Sequence, residues 1–189
     1  MLKILSSIII SSLFISTAYA AENDLKQRAQ ESKKVVKEFM QQLQGELQSA
    51  MKAGGPINAI AVCQDKAPAI AQNLSEKHGW EVARTSLKPR NPANAPDAWE
   101  TKVLKDFDER KAKGEDVKPM AHFEVVEADG EKTFRFMKAI PTGEVCLQCH
   151  GSNIDPQVKA KLQETYPEDK ATGYKLGDVR GAFTISQPM

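Results

Sequence analysis

The chain has 189 residues, of which 41% are hydrophobic and 6% aromatic, and its 26 Lys and Arg side chains nearly balance its 25 Asp and Glu side chains. A balanced charge argues against a nucleic-acid groove or a basic membrane patch. The length after a short leader suits one compact domain.

Residues 1–20 have the three parts of a secretory signal peptide. An early cation, Lys3, precedes an apolar run from Ile4 to Ile15, and the segment ends in Ala18-Tyr19-Ala20. The apolar run is shorter than the roughly 20 residues that a spanning helix needs. No cysteine follows Ala20 at which a lipid anchor could attach. We therefore expect cleavage after Ala20, a periplasmic protein and no membrane anchor in the mature chain.

Two amphipathic helices are predicted next. The first runs from Asp24 to about Ala53 and ends at Gly54-Gly55, with an apolar stripe at steps of three and four residues: Val36, Phe39, Met40, Leu43, Leu47 and Met51. This helix either packs on the domain's own surface or forms a homodimer arm. The second helix covers residues 56–78, with Pro68 expected to kink it and Cys63 on its buried face.

A strand over residues 80–86 leads into a proline-rich loop over residues 87–96. Arg84, Lys88 and Arg90 make this part of the chain basic, as expected for a carboxylate partner. A solvated surface loop explains the same composition equally well.

Asp97 and Glu100 predict a capping box at the start of a third helix, which Gly114 closes. Strands are expected over residues 122–126 and 133–140, joined by a turn at Ala128-Asp129-Gly130-Glu131. Asp155-Pro156 opens a short helix that runs to about Tyr166, and residues 176–186 form a closing strand. Strands spread among helices predict an α+β domain with one antiparallel sheet.

The segment Cys146-Leu147-Gln148-Cys149-His150-Gly151 contains CxxCH, the signature of covalent c-type haem attachment. Thiols one helical turn apart reach the two vinyl groups, and the next residue, His150, becomes the proximal iron ligand. We expect Gly151 to be glycine because the backbone leaves close to the macrocycle.

Two other roles for these cysteines are less suitable. A zinc site needs four ligands, and the sequence has no second CxxC or HxxxH cluster. A thioredoxin-like dithiol needs a βαβ context that the flanking residues do not supply. Export favours haem, since c-type attachment takes place outside the cytoplasm. Arg84 and Arg90 are then candidate partners for the haem propionates.

Several stretches together resemble the DUF3365 family, also called the Tll0287-like domain. They are Ala61-Val62-Cys63, residues 84–94 (RTSLKPRNPAN), Trp99-Glu100, residues 146–151 (CLQCHG) and residues 173–182 (GYKLGDVRGA). The resemblance implies a PAS-like antiparallel sheet flanked by helices and a single c-type haem. It also implies that Cys63 approaches the iron from the side opposite His150.

The resulting division of the chain is a signal peptide at 1–20, an N-terminal amphipathic helix at 21–55 and a PAS-like haem domain at 56–189. The helix and the haem domain are expected to form one compact domain.

The identity of the sixth iron ligand stays open on residues alone. Cys63 is an odd thiol in an oxidising compartment, yet a small buried hydrophobe is a common role for cysteine. His122, His78, Met120 and Met137 are the competitors, with His122 the second choice. The family resemblance favours Cys63.

Two functions from different classes fit these features. The first is a haem-based redox or ligand sensor with a labile Cys63 ligand and an unidentified signalling partner. The second is a periplasmic electron carrier that passes electrons to an unidentified redox partner. A peroxidase comes third, because no distal acid–base pair is evident beyond His122 and Arg84, and we expect no enzymatic activity.

Overall fold

The structure is a computed structural model that describes residues 11–189, with side chains from Glu22 onward. The first ten residues of the predicted signal peptide lie outside the described residues. The leader and its cleavage therefore stay predictions.

The N-terminal half of the chain is mostly helical. Helix α1 spans Ser11–Ala61, a π-helical turn follows at Val62–Lys66, and α2 spans Ala67–His78. Gly54 and Gly55 have non-helical backbone angles, so α1 is broken where the sequence predicts the first helix to end. The expected kink at Pro68 takes the form of the π-helical turn, and Gly79 caps α2 in a left-handed conformation.

The remaining elements alternate between strands and helices. They are β1 at Glu81–Thr85, α3 at Ala98–Ala112, β2 at Ala121–Ala128, β3 at Glu131–Pro141, α4 at Leu147–His150, α5 at Pro156–Thr165 and β4 at Val179–Pro188, with short 3-10 turns at Pro92–Asn94 and Glu144–Cys146. The predicted capping box is present, since Asp97 accepts from the Glu100 N–H and Glu100 accepts from the Asp97 N–H. In the β2–β3 turn, Asp129 and Gly130 both have positive φ, as a type I′ turn requires.

The four strands form one antiparallel sheet in the order β1-β4-β3-β2. The α+β prediction is confirmed. Because side chains alternate across a strand, the sheet buries two separate apolar faces. One face packs against α1 and α2 through Val35, Val36, Phe39, Ile70, Leu74, Phe134, Phe136, Phe183 and Ile185. The other packs against α3 through Val103, Leu104, Phe107, Met120, Met137, Ala139, Val179 and Ala182.

Helix α1 is therefore part of the domain core. Phe39 is fully buried, and its ring lies 5.2 Å from that of Phe183 on β4. The stripe is buried less well toward the end of the predicted helix, where Met40 is 39% exposed and Leu47 and Met51 are half-buried. Packing on the domain's own sheet explains the first half of the stripe without a second copy of the chain.

A third apolar cluster lies away from the sheet faces. It consists of Ile60 near the end of α1, Val158 and Leu162 on α5, and Tyr166, with Cys149 packed against it. This cluster connects the end of α1, three residues before Cys63, to the CxxCH turn.

Candidate functional site

The CxxCH segment forms a single tight helical turn. A 3-10 turn at Glu144–Cys146 runs directly into α4, and the Cys146 N–H donates to the Gly143 carbonyl at 3.0 Å. Cys146 and Cys149 are three residues apart on this turn, so their side chains lie on the same side of it. Both thiols are free and half-buried, as is that of Cys63.

Gly151 ends α4 at a point where a side chain would collide with the chain itself. Its N–H donates to the Leu147 carbonyl at 3.0 Å, and a Cβ at this position would lie 2.6 Å from that carbonyl oxygen. Its φ of −73° is ordinary, so the constraint is space. The need for glycine therefore has a cause in the turn itself, whereas the sequence analysis attributed it to a macrocycle.

The ring of His150 is held in one orientation by a backbone carbonyl. Its Nδ1–H donates to the Ala171 carbonyl at 2.7 Å, which leaves Nε2 as the nitrogen that can bind a metal. Burial lowers the pKa of His150 well below its usual value, and the nearby guanidiniums of Arg180 and Arg90 lower it further. A neutral imidazole with a free Nε2 is the form that binds a metal.

The segment over residues 169–174 passes along this turn and is bonded to it. The Gly173 N–H donates to the Gly151 carbonyl at 3.0 Å, and the Tyr174 N–H donates to the His150 carbonyl at 2.9 Å. The proline-rich loop holds the same segment from the other side, since the Lys170 N–H donates to the Pro89 carbonyl at 3.1 Å. Three stretches that are far apart in sequence thus form one unit around His150.

Arg90 is buried inside this unit. Its side chain is 7% exposed, and its Nε donates to Asp169 at 3.0 Å. Its Nη2 donates to the Cys149 carbonyl at 2.6 Å and to the Ala171 carbonyl at 3.2 Å. Arg90 therefore holds the CxxCH turn against residues 169–171, and its guanidinium is already engaged with a carboxylate of the chain.

Cys63 lies in the π-helical turn that follows α1, three residues after Ile60, which packs in one cluster with Cys149. Burial raises the pKa of the Cys149 thiol. Burial also raises the pKa of Tyr166, another member of this cluster, to about 12. A π-helical turn is a frequent feature of functional sites, because it displaces side chains from the regular helical positions.

Arg84 and Arg180 add two cations to this region. Burial lowers the pKa of both. In the part of the chain that the structure describes, no carboxylate oxygen lies within 4.0 Å of either guanidinium. Among these residues Arg180 Nε is buried without a hydrogen-bond partner, while its Nη1 donates to Ser86 Oγ at 3.2 Å. Within the described chain the two guanidiniums therefore have no carboxylate partner.

Arg180 is the residue that the sequence analysis missed. The β3–β4 register shifts so that Ile140 pairs with Gly181 and Pro141 pairs with Val179, which leaves Arg180 as the extra residue of a bulge. A bulge redirects the side chain of its extra residue. Here the guanidinium lies 5.2 Å from the centre of the Tyr174 ring, which in turn meets the His150 ring edge-on at 6.3 Å. An arginine as the one charged residue of the strand Val179–Pro188 was the available signal.

Comparisons with known proteins were made for the whole chain. The sequence pattern of the Tll0287-like family matches residues 20–188. The chain belongs to the Tll0287-like family. The crystal structure of the cyanobacterial haem protein Tll0287 superimposes with a TM-score of 0.65 at 23% identity, covering 86% of this chain and 96% of that chain. At this identity the likeness shows a shared fold. The comparison with curated proteins gave no match.

In this Tll0287-like chain, the competing ligands lie in other surroundings. The His78 ring stacks on Trp80 with ring centres 5.2 Å apart. His122 lies on the edge strand β2, with its ring centre 5.9 Å from that of Trp99 on α3. Its Nε2 is 3.6 Å from the Glu124 carboxylate. Met120 and Met137 are buried in the cluster under α3. The segment that carries Cys63 does meet the CxxCH turn, because Ile60, three residues before Cys63, packs in one cluster with Cys149.

Within residues 11–189, no group of three or more His, Cys, Asp and Glu side chains is arranged to hold a metal ion. The helices among these same residues include none with the length and apolar character needed to cross a membrane.

Proposed function

We propose that this Tll0287-like chain is a periplasmic protein with one covalently attached c-type haem, and that it acts as a redox or ligand sensor. Cys146 and Cys149 would hold the porphyrin by thioether bonds, His150 would bind the iron through Nε2, and Cys63 would bind it from the other side. The observation that carries the proposal is the CxxCH turn, where two free thiols stand beside an imidazole whose Nδ1–H donates to the Ala171 carbonyl. Cys63 is proposed as the second ligand from the family resemblance, and because Ile60, three residues before it, packs in one cluster with Cys149.

The donor set fits such a group. Two free thiols stand at the required spacing, and the imidazole beside them has its Nδ1 occupied and its Nε2 available. Arg84 and Arg180 supply half-buried positive charge that lacks a carboxylate in the described chain. Burying a charge without a partner is costly, and two propionates would provide the missing partners. We assign the propionate role to Arg84 and Arg180, in place of the Arg84 and Arg90 pair that the sequence suggests.

The group would supply one-electron redox chemistry and an iron coordination site that can be opened. Cys63 would be held as a thiolate toward ferric iron, because positive charge favours the anion and lowers a thiol's pKa. Cys63 would then be the residue whose thiolate form depends on the charge of the bound group. Cys63 lies between the Gly54–Gly55 break and the Pro68 kink, so its segment is not a continuous regular helix.

Spectra of the ferric protein beside Cys63→Ala test the ligand assignment. We expect low-spin thiolate character in the EPR and optical spectra of the parent, and a high-spin or newly ligated iron in the variant. His122→Ala is the matched control and should keep the parent spectrum. Identical spectra for the parent and Cys63→Ala would rule out Cys63, and a parent without a covalent mass increase of one haem would rule out the attachment.

The electron carrier is the second candidate function. This function is favoured by an exposed apolar side chain beside the site. Val145 is 49% exposed and lies directly before Cys146. A carrier needs only a small and transient docking surface. Reduction followed by CO or NO binding would support the sensor, whereas fast reversible electrochemistry with unchanged ligation would support the carrier.

A further inference from the structure

The carbonyl of Ala171 accepts two hydrogen bonds of different origin. One comes from His150 Nδ1 at 2.7 Å, and the other comes from Arg90 Nη2 at 3.2 Å. Two donors that share one acceptor influence each other, because each draws electron density from the same oxygen. The charge state and position of Arg90 therefore affect how strongly the carbonyl binds the imidazole proton.

Arg90 is fixed in this position by a buried ion pair. Asp169 is 11% exposed, and its Oδ2 accepts from Arg90 Nε at 3.0 Å and also lies 3.0 Å from Nη2. The other carboxylate oxygen, Oδ1, accepts from the Ala171 N–H at 2.8 Å. Asp169 thus binds both Arg90 and the peptide segment whose carbonyl holds His150. A pair this well enclosed is screened little by salt.

We propose that Arg90 and Asp169 are positioning residues that set the donor strength of His150 toward the iron; this inference rests on the proposed haem. A strong acceptor at Nδ1–H makes an imidazole more electron-donating, which favours ferric iron and lowers the reduction potential. Arg90 weakens this acceptor and adds positive charge, and both effects raise the potential. Asp169 compensates the charge of Arg90, and this lowers the reduction potential. The two residues act in opposite directions.

Three variants of the haem-loaded protein separate this role from a structural one. Arg90→Met removes the charge and the shared bond, Arg90→Lys keeps the charge but not the guanidinium fork, and Asp169→Asn removes a charge while keeping an acceptor for the Ala171 N–H. Arg110→Met is the matched control, because Arg110 pairs with Glu115 on the surface of α3. The readouts are the midpoint potential and the iron–histidine stretching frequency of the ferrous protein in resonance Raman spectra.

We expect Arg90→Met to shift the ferric-to-ferrous ratio at fixed potential toward ferric by about three- to tenfold, where tenfold corresponds to about 59 mV. Its iron–histidine frequency should rise. Asp169→Asn should shift both quantities the other way, and Arg90→Lys should change the frequency more than the potential. Arg110→Met should change neither.

Shifts of the same sign in Arg90→Met and Asp169→Asn, or values equal to those of the parent, would overturn the proposal. If Arg90→Met does not fold, opposite shifts of the iron–histidine frequency in Arg90→Lys and Asp169→Asn still test the proposal. A parent that acquires no haem would refute the proposed function, and this inference with it. A haem-loaded parent with unresponsive variants would refute this inference alone.

Discussion

The substitution Gly151→Ala tests whether the CxxCH turn needs glycine for its own backbone geometry. The added Cβ would lie 2.6 Å from the Leu147 carbonyl oxygen, and contacts below 3.0 Å are essentially never seen. The distance between the new Cβ and the Leu147 carbonyl oxygen must therefore increase from 2.6 Å to at least 3.0 Å. The obstructing atom belongs to the backbone and cannot rotate away. The turn itself has to distort.

The cost follows from two terms. Inserting a carbon into a packed site costs about 1–3 kcal/mol. The distortion also weakens the 3.0 Å bond from the Gly151 N–H to the Leu147 carbonyl, which contributes about 1 kcal/mol. We expect the free energy of unfolding to fall by about 2–4 kcal/mol. For a chain of this size, each kcal/mol lowers the melting temperature by about 2–4 °C.

Gly45→Ala is the matched control, because it makes the same chemical change in the middle of α1. A Cβ at Gly45 would meet nothing within 4 Å, so this variant should be stabilised by about 0.5–1 kcal/mol. Thermal unfolding followed by circular dichroism, at matched haem content, measures both variants. A Gly151→Ala protein that melts at or above the parent temperature would show that the turn tolerates a side chain and that our reasoning is wrong.

Two further predictions concern the core and the surroundings of Cys63. Phe39→Ala should cost about 3–5 kcal/mol in a urea titration, because Phe39 is fully buried against Phe183, whereas the exposed neighbour Met40→Ala should stay within about 0.5 kcal/mol. The pKa of Tyr166 rises to about 12 in the folded chain, above its ordinary value of 10.0. The folding stability that depends on its neutral hydroxyl is therefore fully present below pH 10 and is lost as the pH rises toward 12. Between pH 9 and 11, the Tyr166→Phe variant should therefore lose less stability than the parent, by up to about 1 kcal/mol. Equal losses in the parent and Tyr166→Phe would contradict this assignment.

Elements with strong local signals were predicted well. The capping box at Asp97, the turn at Asp129-Gly130 and the proline-opened α5 are all present, because each depends on contacts within a few residues. The strand ends were predicted less well, since the closing strand begins at Val179 and not at Leu176. Strand ends are set by pairing with distant partners, which local sequence does not specify.

The roles of the arginines show where sequence reasoning stopped. Arg84 and Arg90 lie close together in one basic stretch of sequence, so composition treats them alike. In the fold, Arg90 is engaged with Asp169, while Arg84 has no carboxylate within 4.0 Å among the described residues. Arg180 differs from both, because it is the extra residue of a bulge in β4 and its guanidinium lies 5.2 Å from the centre of the Tyr174 ring. Neither the ion pair nor the bulge leaves a mark at short range in the sequence.

By itself, the sequence determined the α+β class, the helix break at Gly54–Gly55 and the CxxCH spacing, because these depend on residue types a few positions apart. Only the tertiary structure decided which side chains surround His150. Arg90, the Ala171 carbonyl and Arg180 come from three separate segments, and their approach to His150 depends on sheet register and long-range packing. These are properties of long-range contacts, and each can shift by one residue without changing any local pattern.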